Sequence, residues 1–91
     1  MNIDLSGKTA LVGASTSGIG KAIAMQLATS GATVTLMSRS LDKLETVKQS
    51  LSTENGQQHQ ILQVDFTDYA AFKSIITAYF EKNSVDILVN N

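Results

Sequence analysis

The stretch Val12-Gly-Ala-Ser-Thr-Ser-Gly-Ile-Gly20 decides how this chain is built. It follows directly on a short apolar run, Lys8-Thr-Ala-Leu-Val12, and opens directly into a segment of helical period. In that setting a glycine-rich turn carries chemistry. The unpaired N–H groups at a helix start and the positive end of the helix dipole together stabilise a phosphate. Gly18 and Gly20 let a pyrophosphate or a neighbouring strand approach the backbone closely. Ser15, Thr16 and Ser17 add hydroxyl donors, and Ile19 lies between the two glycines. The glycines at 13, 18 and 20 do not follow the G-x-G-x-x-G order of the commonest dinucleotide turn. A tight turn that holds nothing is the competing reading.

Outward from this turn, strand-like and helix-like segments alternate. Gly18 to Ser30 has Ile19, Ile23 and Leu27 every fourth residue, with Ala22, Ala24 and Ala28 as small packing partners, and Gly31 stops it. Thr33–Met37 is a second strand. Ser40 caps a helix with apolar positions Leu41, Leu44, Val47 and Leu51, ended by Asn55-Gly56. Gln60–Val64 is a third strand. Thr67 can cap a helix bearing Phe72, Ile75, Ile76, Tyr79 and Phe80 on one face, and Val85–Val89 is a fourth strand. This β-α-β-α-β-α-β order predicts an α/β fold, a Rossmann-like doubly wound parallel sheet in three αβα layers with strand order 3-2-1-4. The fourth strand would then be an apolar edge with nothing beyond it. Residues 1–91 therefore read as the N-terminal portion of a single larger domain.

Composition narrows the function. The chain is 43% hydrophobic and 16% charged with net charge −1, which gives no basic excess for nucleic acid or an anionic membrane. No apolar run has membrane-spanning length, and the first residues lack the pattern of a signal peptide. There is no cysteine, so thiolate metal sites and disulfides are excluded and a reducing, cytoplasmic setting is expected. His59 has no second ligand at metal spacing, so a surface or edge histidine is expected and no metal site. Met25 and Met37 fit the core.

Two further positions extend the site. Arg39, the only arginine, comes nineteen positions after Gly20 at the end of the second strand, with no acid at 37–41. An acid there would hold a ribose 2′-hydroxyl, whereas an arginine accommodates a 2′-phosphate, so NADP(H) is the expected cofactor. A plain solvated arginine is the alternative. Asp65-Phe66 ends the third strand, where a carboxylate can accept from an adenine amino group. An acid placed near a positive helix end explains Asp65 equally well.

Gly18-Ile-Gly20, Asp65 and Leu88-Val-Asn-Asn91 together closely resemble the short-chain dehydrogenase/reductases, and "SGKTALV" and "VDILVNN" are similar to segments of bacterial 3-oxoacyl-acyl-carrier-protein reductases. The resemblance covers essentially the whole chain. It implies a cofactor turn of the form T-G-x-x-x-G-x-G, with Ala14 on the first motif glycine and Ser15, Thr16, Ser17, Gly18, Ile19 and Gly20 around the phosphates and ribose. It further implies Arg39 at the 2′-phosphate, Asp65 and Phe66 at the adenine, Asn91 near the ribose and Asn90 tying strands together. The implied whole enzyme transfers hydride between NADPH and a small carbonyl or alcohol substrate, with a 3-oxoacyl type among the substrates the resemblance suggests, as a homo-oligomer, tetramer or dimer. A non-catalytic nucleotide-binding module and another Rossmann-like binder, such as a methyltransferase, are the alternatives.

Two departures from the family pattern matter. Alanine suits position 14 only if that residue avoids positive φ or if Gly13 absorbs the turn. Ser17 stands where some NADP-preferring relatives carry a second basic residue, which leaves Arg39 alone. The family's catalytic tyrosine and lysine, four apart, follow the segment that begins at Asn90. Tyr69-Ala-Ala-Phe-Lys73 matches that spacing too early in the chain and is rejected. No catalytic residue is assigned within the 91 residues.

Overall fold

The computed structural model describes residues 3–90. Strand β1 (Thr9–Val12) leads into helix α1 (Gly18–Thr29), followed by β2 (Thr33–Ser38), α2 (Leu41–Ser50), β3 (Gln60–Gln63), α3 (Tyr69–Lys82) and β4 (Ile87–Val89). All pairings are parallel and the strand order is β3-β2-β1-β4. The expected α/β fold and strand order are what the structure has. The order reverses between β1 and β4, so the Gly-rich turn leaves the sheet at the switch point where doubly wound folds bind ligands.

Alternate residues of the two central strands supply two cores. Ala10, Val12, Val34 and Leu36 pack against Ala24, Ala28, Leu44 and Val47 of α1 and α2. Leu11, Met37 and Val64 on the other side meet Tyr79 of α3, with Phe72, Ile75 and Ile76 packed around them. The middle of the sheet is thus covered on both faces, which is why β1 and β2 read as nearly unbroken apolar runs.

The buried face of α1 differs from the expected one. Gly20, Ala24 and Ala28 face the sheet, while Ile19 is 71% exposed and Ile23 and Leu27 flank the contact. Small side chains win that face because they let the helix axis come close to the sheet, and the larger ones then fill the groove beside it. Met25 is also exposed, so only Met37 belongs to the core. Leu41 likewise faces outward. Helix α2 ends at Ser50, before Asn55-Gly56, because Leu51 turns extended to enter the core.

Side chains complete the ends of the sheet. Of the surface or edge position expected for His59, the structure has the edge: the residue directly precedes the edge strand β3, but it is buried. Its Nδ1 accepts from Val34 N–H at 2.9 Å, one residue before the β2–β3 ladder begins, and its Nε2 bonds to Ser52 O at 2.7 Å. The ring therefore takes the place of a missing backbone acceptor. Gln57 donates from Nε2 to Ala28 O and Ala32 O at the end of α1. At the other side, the Asp86 carboxylate accepts from Thr9 N–H at 2.9 Å while Asp86 N–H donates to Thr9 O at 2.9 Å.

Helix α3 is fastened by one buried polar pair, Thr35 Oγ1 and Tyr79 Oη at 2.7 Å. Tyr79→Phe is expected to cost about 1–3 kcal/mol, because it leaves the Thr35 hydroxyl buried without a partner. Combining it with Thr35→Val should recover much of that loss. Urea unfolding of the three variants is the measurement, and strictly additive losses would show that the two hydroxyls are not coupled.

Candidate functional site

The turn between β1 and α1 owes its shape to a left-handed residue that is not glycine. Ala14 has φ +50°, whereas Gly13 has an ordinary negative-φ backbone, so neither condition that would make alanine comfortable at 14 is met. Gly13 is constrained in another way: an added Cβ would lie 3.6 Å from Met37 Cε and 3.7 Å from Val89 O. Its N–H donates to Val89 O at 3.0 Å, which stitches the turn to β4. Ala14→Gly should relieve about 1 kcal/mol of left-handed strain, less the extra chain entropy of glycine. A higher denaturation midpoint would register the gain, and a lower one would mean that the alanine methyl contributes more than its strain costs.

The hydroxyls of the turn divide by direction. Ser15 is fully buried, and both its N–H and its Oγ donate to Met37 O at 3.3 Å, so it anchors the turn to the end of β2. Thr16 Oγ1 shares a 3.2 Å hydrogen bond with Ser38 Oγ. Ser17 is the N-cap of α1 in extended conformation, exposed and without a side-chain capping bond. Gly18 has φ +58° and open space where a Cβ would be. The first bond of the α1 ladder is Lys21 N–H to Ser17 O at 3.3 Å, so the N–H groups of Gly18, Ile19 and Gly20 precede the ladder. Ile19 stands exposed over them.

Arg39 lies just past β2, exposed, with its carbonyl accepting from Gln63 Nε2 at 3.2 Å. Asp65 lies just past β3. Its Oδ1 accepts from Thr67 Oγ1 at 2.6 Å and from Thr67 N–H at 2.9 Å. These bonds, hydroxyl first, hold its carboxyl below the usual carboxylate range, with a weaker contribution from the nearby positive charge of Arg39. Thr67 therefore does not cap α3. Asp68 does, accepting from Ala71 N–H at 3.2 Å, because Asp65 has already taken the threonine hydroxyl. Phe66 is half exposed, its ring 5.1 Å from that of Phe72. An apolar cleft of about 430 Å³ opens here, with Ala14, Met37, Phe66, Phe72, Leu88 and Asn90 in its walls.

Ala14 to Gly20, Arg39, Asp65 and Phe66 thus gather at the carboxyl ends of β1, β2 and β3, and Asn90 borders the cleft. Asn91 lies outside the described residues. Tyr69 and Lys73 sit elsewhere, exposed on the outer face of α3 along a shallow groove with Ser74 and Thr77. Reasoning from sequence gave Ser38 no role of its own, although its hydroxyl links the turn to β2, and read Thr67 as a helix cap, whereas it orients Asp65. A serine at a strand end and a threonine two residues after an aspartate are the signals that could have found them. Among the described residues no three acidic or histidine side chains converge on a metal-sized site, and no helix is long and apolar enough to cross a membrane.

The short chain dehydrogenase family profile matches residues 8–91, and the chain belongs to that family. It is 40% identical over 91 residues to the uncharacterized oxidoreductase YvaG of Bacillus subtilis, covering all of this chain and 34% of that protein. Among solved structures, L-sorbose reductase of Gluconobacter frateurii, complexed with NADPH and L-sorbose, superposes with a TM-score of 0.84. Identity there is 34%, over 100% of this chain and 35% of that one. A 3-oxoacyl (acyl-carrier-protein) reductase of Agrobacterium tumefaciens with NADP bound gives 0.82 at 38% identity, over 97% of this chain and 34% of that one. The chain spans about a third of the length of these proteins. The two solved structures hold NADPH and NADP respectively, and oxidoreductase chemistry is the common ground of all three matches.

Proposed function

We propose that the chain is the N-terminal, NADP(H)-binding portion of a short-chain oxidoreductase. One observation carries the reading: the turn from Ala14 to Gly20 is hydrogen-bonded through Thr16 to Ser38, beside Arg39, with no carboxylate at the end of β2. The N–H groups ahead of the α1 ladder and the open space over Gly18 fit a pyrophosphate, since no backbone bond among the described residues takes those donors. Thr16, Ser17 and Ile19 flank it, Arg39 takes the 2′-phosphate, and Asp65 with Phe66 receives the adenine. Asp65 keeps Oδ2 free for that role while Thr67 holds Oδ1. Ser15 serves by fixing the turn, and Asn91 approaches the ribose.

NADPH would supply hydride to a carbonyl, or its oxidised form would accept hydride from an alcohol. The residues from Ala14 to Gly20 with Arg39, Asp65 and Phe66 bind and orient the cofactor, and none of them takes the role of a catalytic serine, tyrosine or lysine. The chain alone therefore binds without turnover. The likeness to the Agrobacterium reductase supports a 3-oxoacyl-type substrate. A cytoplasmic homo-oligomer completes the reading.

Calorimetric titration with NADPH, NADH and S-adenosylmethionine tests it. Binding of NADPH in preference to NADH, and none of S-adenosylmethionine, is expected. Equal affinity for the two dinucleotides would overturn the NADP(H) assignment, and binding of S-adenosylmethionine alone would favour a methyltransferase-like module.

A further inference from the structure

On the far side of Thr16 and Ser17 from the apolar cleft, a second cleft of about 330 Å³ separates the first turns of α1 and α2. Its walls include Thr16, Ser17, Lys21, Asp42, Lys43 and Thr46. Two cations face one carboxylate there. Lys43 lies in the first turn of α2, four positions after Arg39, its own N–H donating to the Ser40 cap at 3.4 Å, and Lys21 lies in the first turn of α1. Thr46 Oγ1 already donates to Asp42 O, while the Ser17 hydroxyl makes no capping bond.

We propose that Lys43, across this cleft, supplies the second cation for a 2′-phosphate held by Arg39, and so helps to determine which dinucleotide binds. The inference rests on the NADP(H) reading above and adds a residue that the sequence pattern did not assign. In this fold the ribose 2′ position lies at the end of the second strand, here Ser38. Ser38 precedes Arg39 and shares its hydrogen bond with Thr16, which is also a wall of the lysine cleft, so a group at that position lies next to Arg39 and beside the cleft.

Charge favours a second cation. A phosphomonoester carries about −1.5 to −2 near pH 7. Arg39 provides one positive charge, and part of its field falls on Asp65. A lysine suits the remainder, since its compact ammonium needs no bidentate geometry to compensate a phosphate. Asp42 borders the same cleft and tempers the field of the two lysines.

The test compares adenosine 2′,5′-bisphosphate with AMP, which differ at the 2′-phosphate, by calorimetry on wild type, Lys43→Ala, Lys43→Arg and Arg39→Ala. Lys43→Ala should weaken bisphosphate binding roughly 5- to 10-fold and leave AMP unchanged, and Lys43→Arg should restore most of the loss. Equal weakening of both nucleotides, or no weakening of either, overturns the proposal. If Arg39→Ala abolishes the preference for the bisphosphate while Lys43→Ala preserves it, Lys43 is excluded and the NADP(H) reading stands. If wild type itself shows no preference, that reading fails and this proposal with it.

Discussion

Arg39→Asp is expected to weaken NADPH binding about 100-fold while changing NADH binding by less than about threefold. The substitution removes the only guanidinium in the chain and puts a carboxylate where the 2′-phosphate would sit. Attraction becomes repulsion for NADPH, whereas for NADH the new acid can accept from the ribose 2′-hydroxyl. The position favours a clean result. Arg39 is exposed, and among the described residues only its backbone carbonyl is hydrogen-bonded, from Gln63 Nε2. The carboxylate of Asp65 nearby loses a positive neighbour, but its two bonds from Thr67 remain. Calorimetric titration of both cofactors decides the matter. Parallel losses would show that Arg39 supports the fold or binds the common part of the dinucleotide.

Gly31→Ala should produce the largest loss of stability, about 2–4 kcal/mol. Gly31 turns the end of α1 into β2 with φ +105°, a backbone conformation that L side chains rarely adopt. Space is closed as well. A Cβ would lie 2.5 Å from Asn55 Nδ2 and 3.0 Å from both the backbone nitrogen and the Oγ of Ser6. The asparagine amide could swing aside at the cost of its 2.9 Å bond to Ser6 Oγ, but the Ser6 backbone is held by Leu5 N–H donating to Ser30 O at 2.7 Å. Gly56→Ala isolates the two causes. Gly56 has φ +78° with nothing within 4 Å of an added Cβ, so only the conformational cost of about 1 kcal/mol applies. Denaturant unfolding of both variants checks the ranking, and equal losses would mean that the crowding at Gly31 relaxes without cost.

The strand order was legible because three independent signals agreed. Apolar runs alternated with helical periods, the Gly-rich turn sat between the first pair, and parallel crossovers allow few topologies. What stayed hidden was the choice among faces and partners. Ile19, Ile23 and Leu27 have the period of a buried stripe, yet Gly20, Ala24 and Ala28 hold that face. Periodicity fixes the spacing of a stripe, and the distance between helix and sheet selects which stripe is used. His59 gave no sign of burial, since its partners, Val34 N–H and Ser52 O, meet only after the chain has folded. At the candidate site the turn, Arg39 and Asp65 were all legible from their positions at strand ends. The strain at Ala14 was foreseen as a condition and needed a backbone angle to resolve it. The lysine cleft was not legible, because Lys21 and Lys43 are twenty-two positions apart and become neighbours only when α1 and α2 pack side by side.

Strand β4 is three residues long and, among the described residues, pairs only with β1, yet it is clamped at both ends. Asp86 exchanges two bonds with Thr9 before the strand starts, and Gly13 N–H takes Val89 O as it finishes. Sliding β4 by one residue would break both clamps and also turn Leu88 inward and its neighbours out. The phase of this short strand is therefore set by an aspartate and a glycine rather than by its own length. Its open side presents peptide groups in one invariant alignment, a fixed ruler against which any further strand would have to be read.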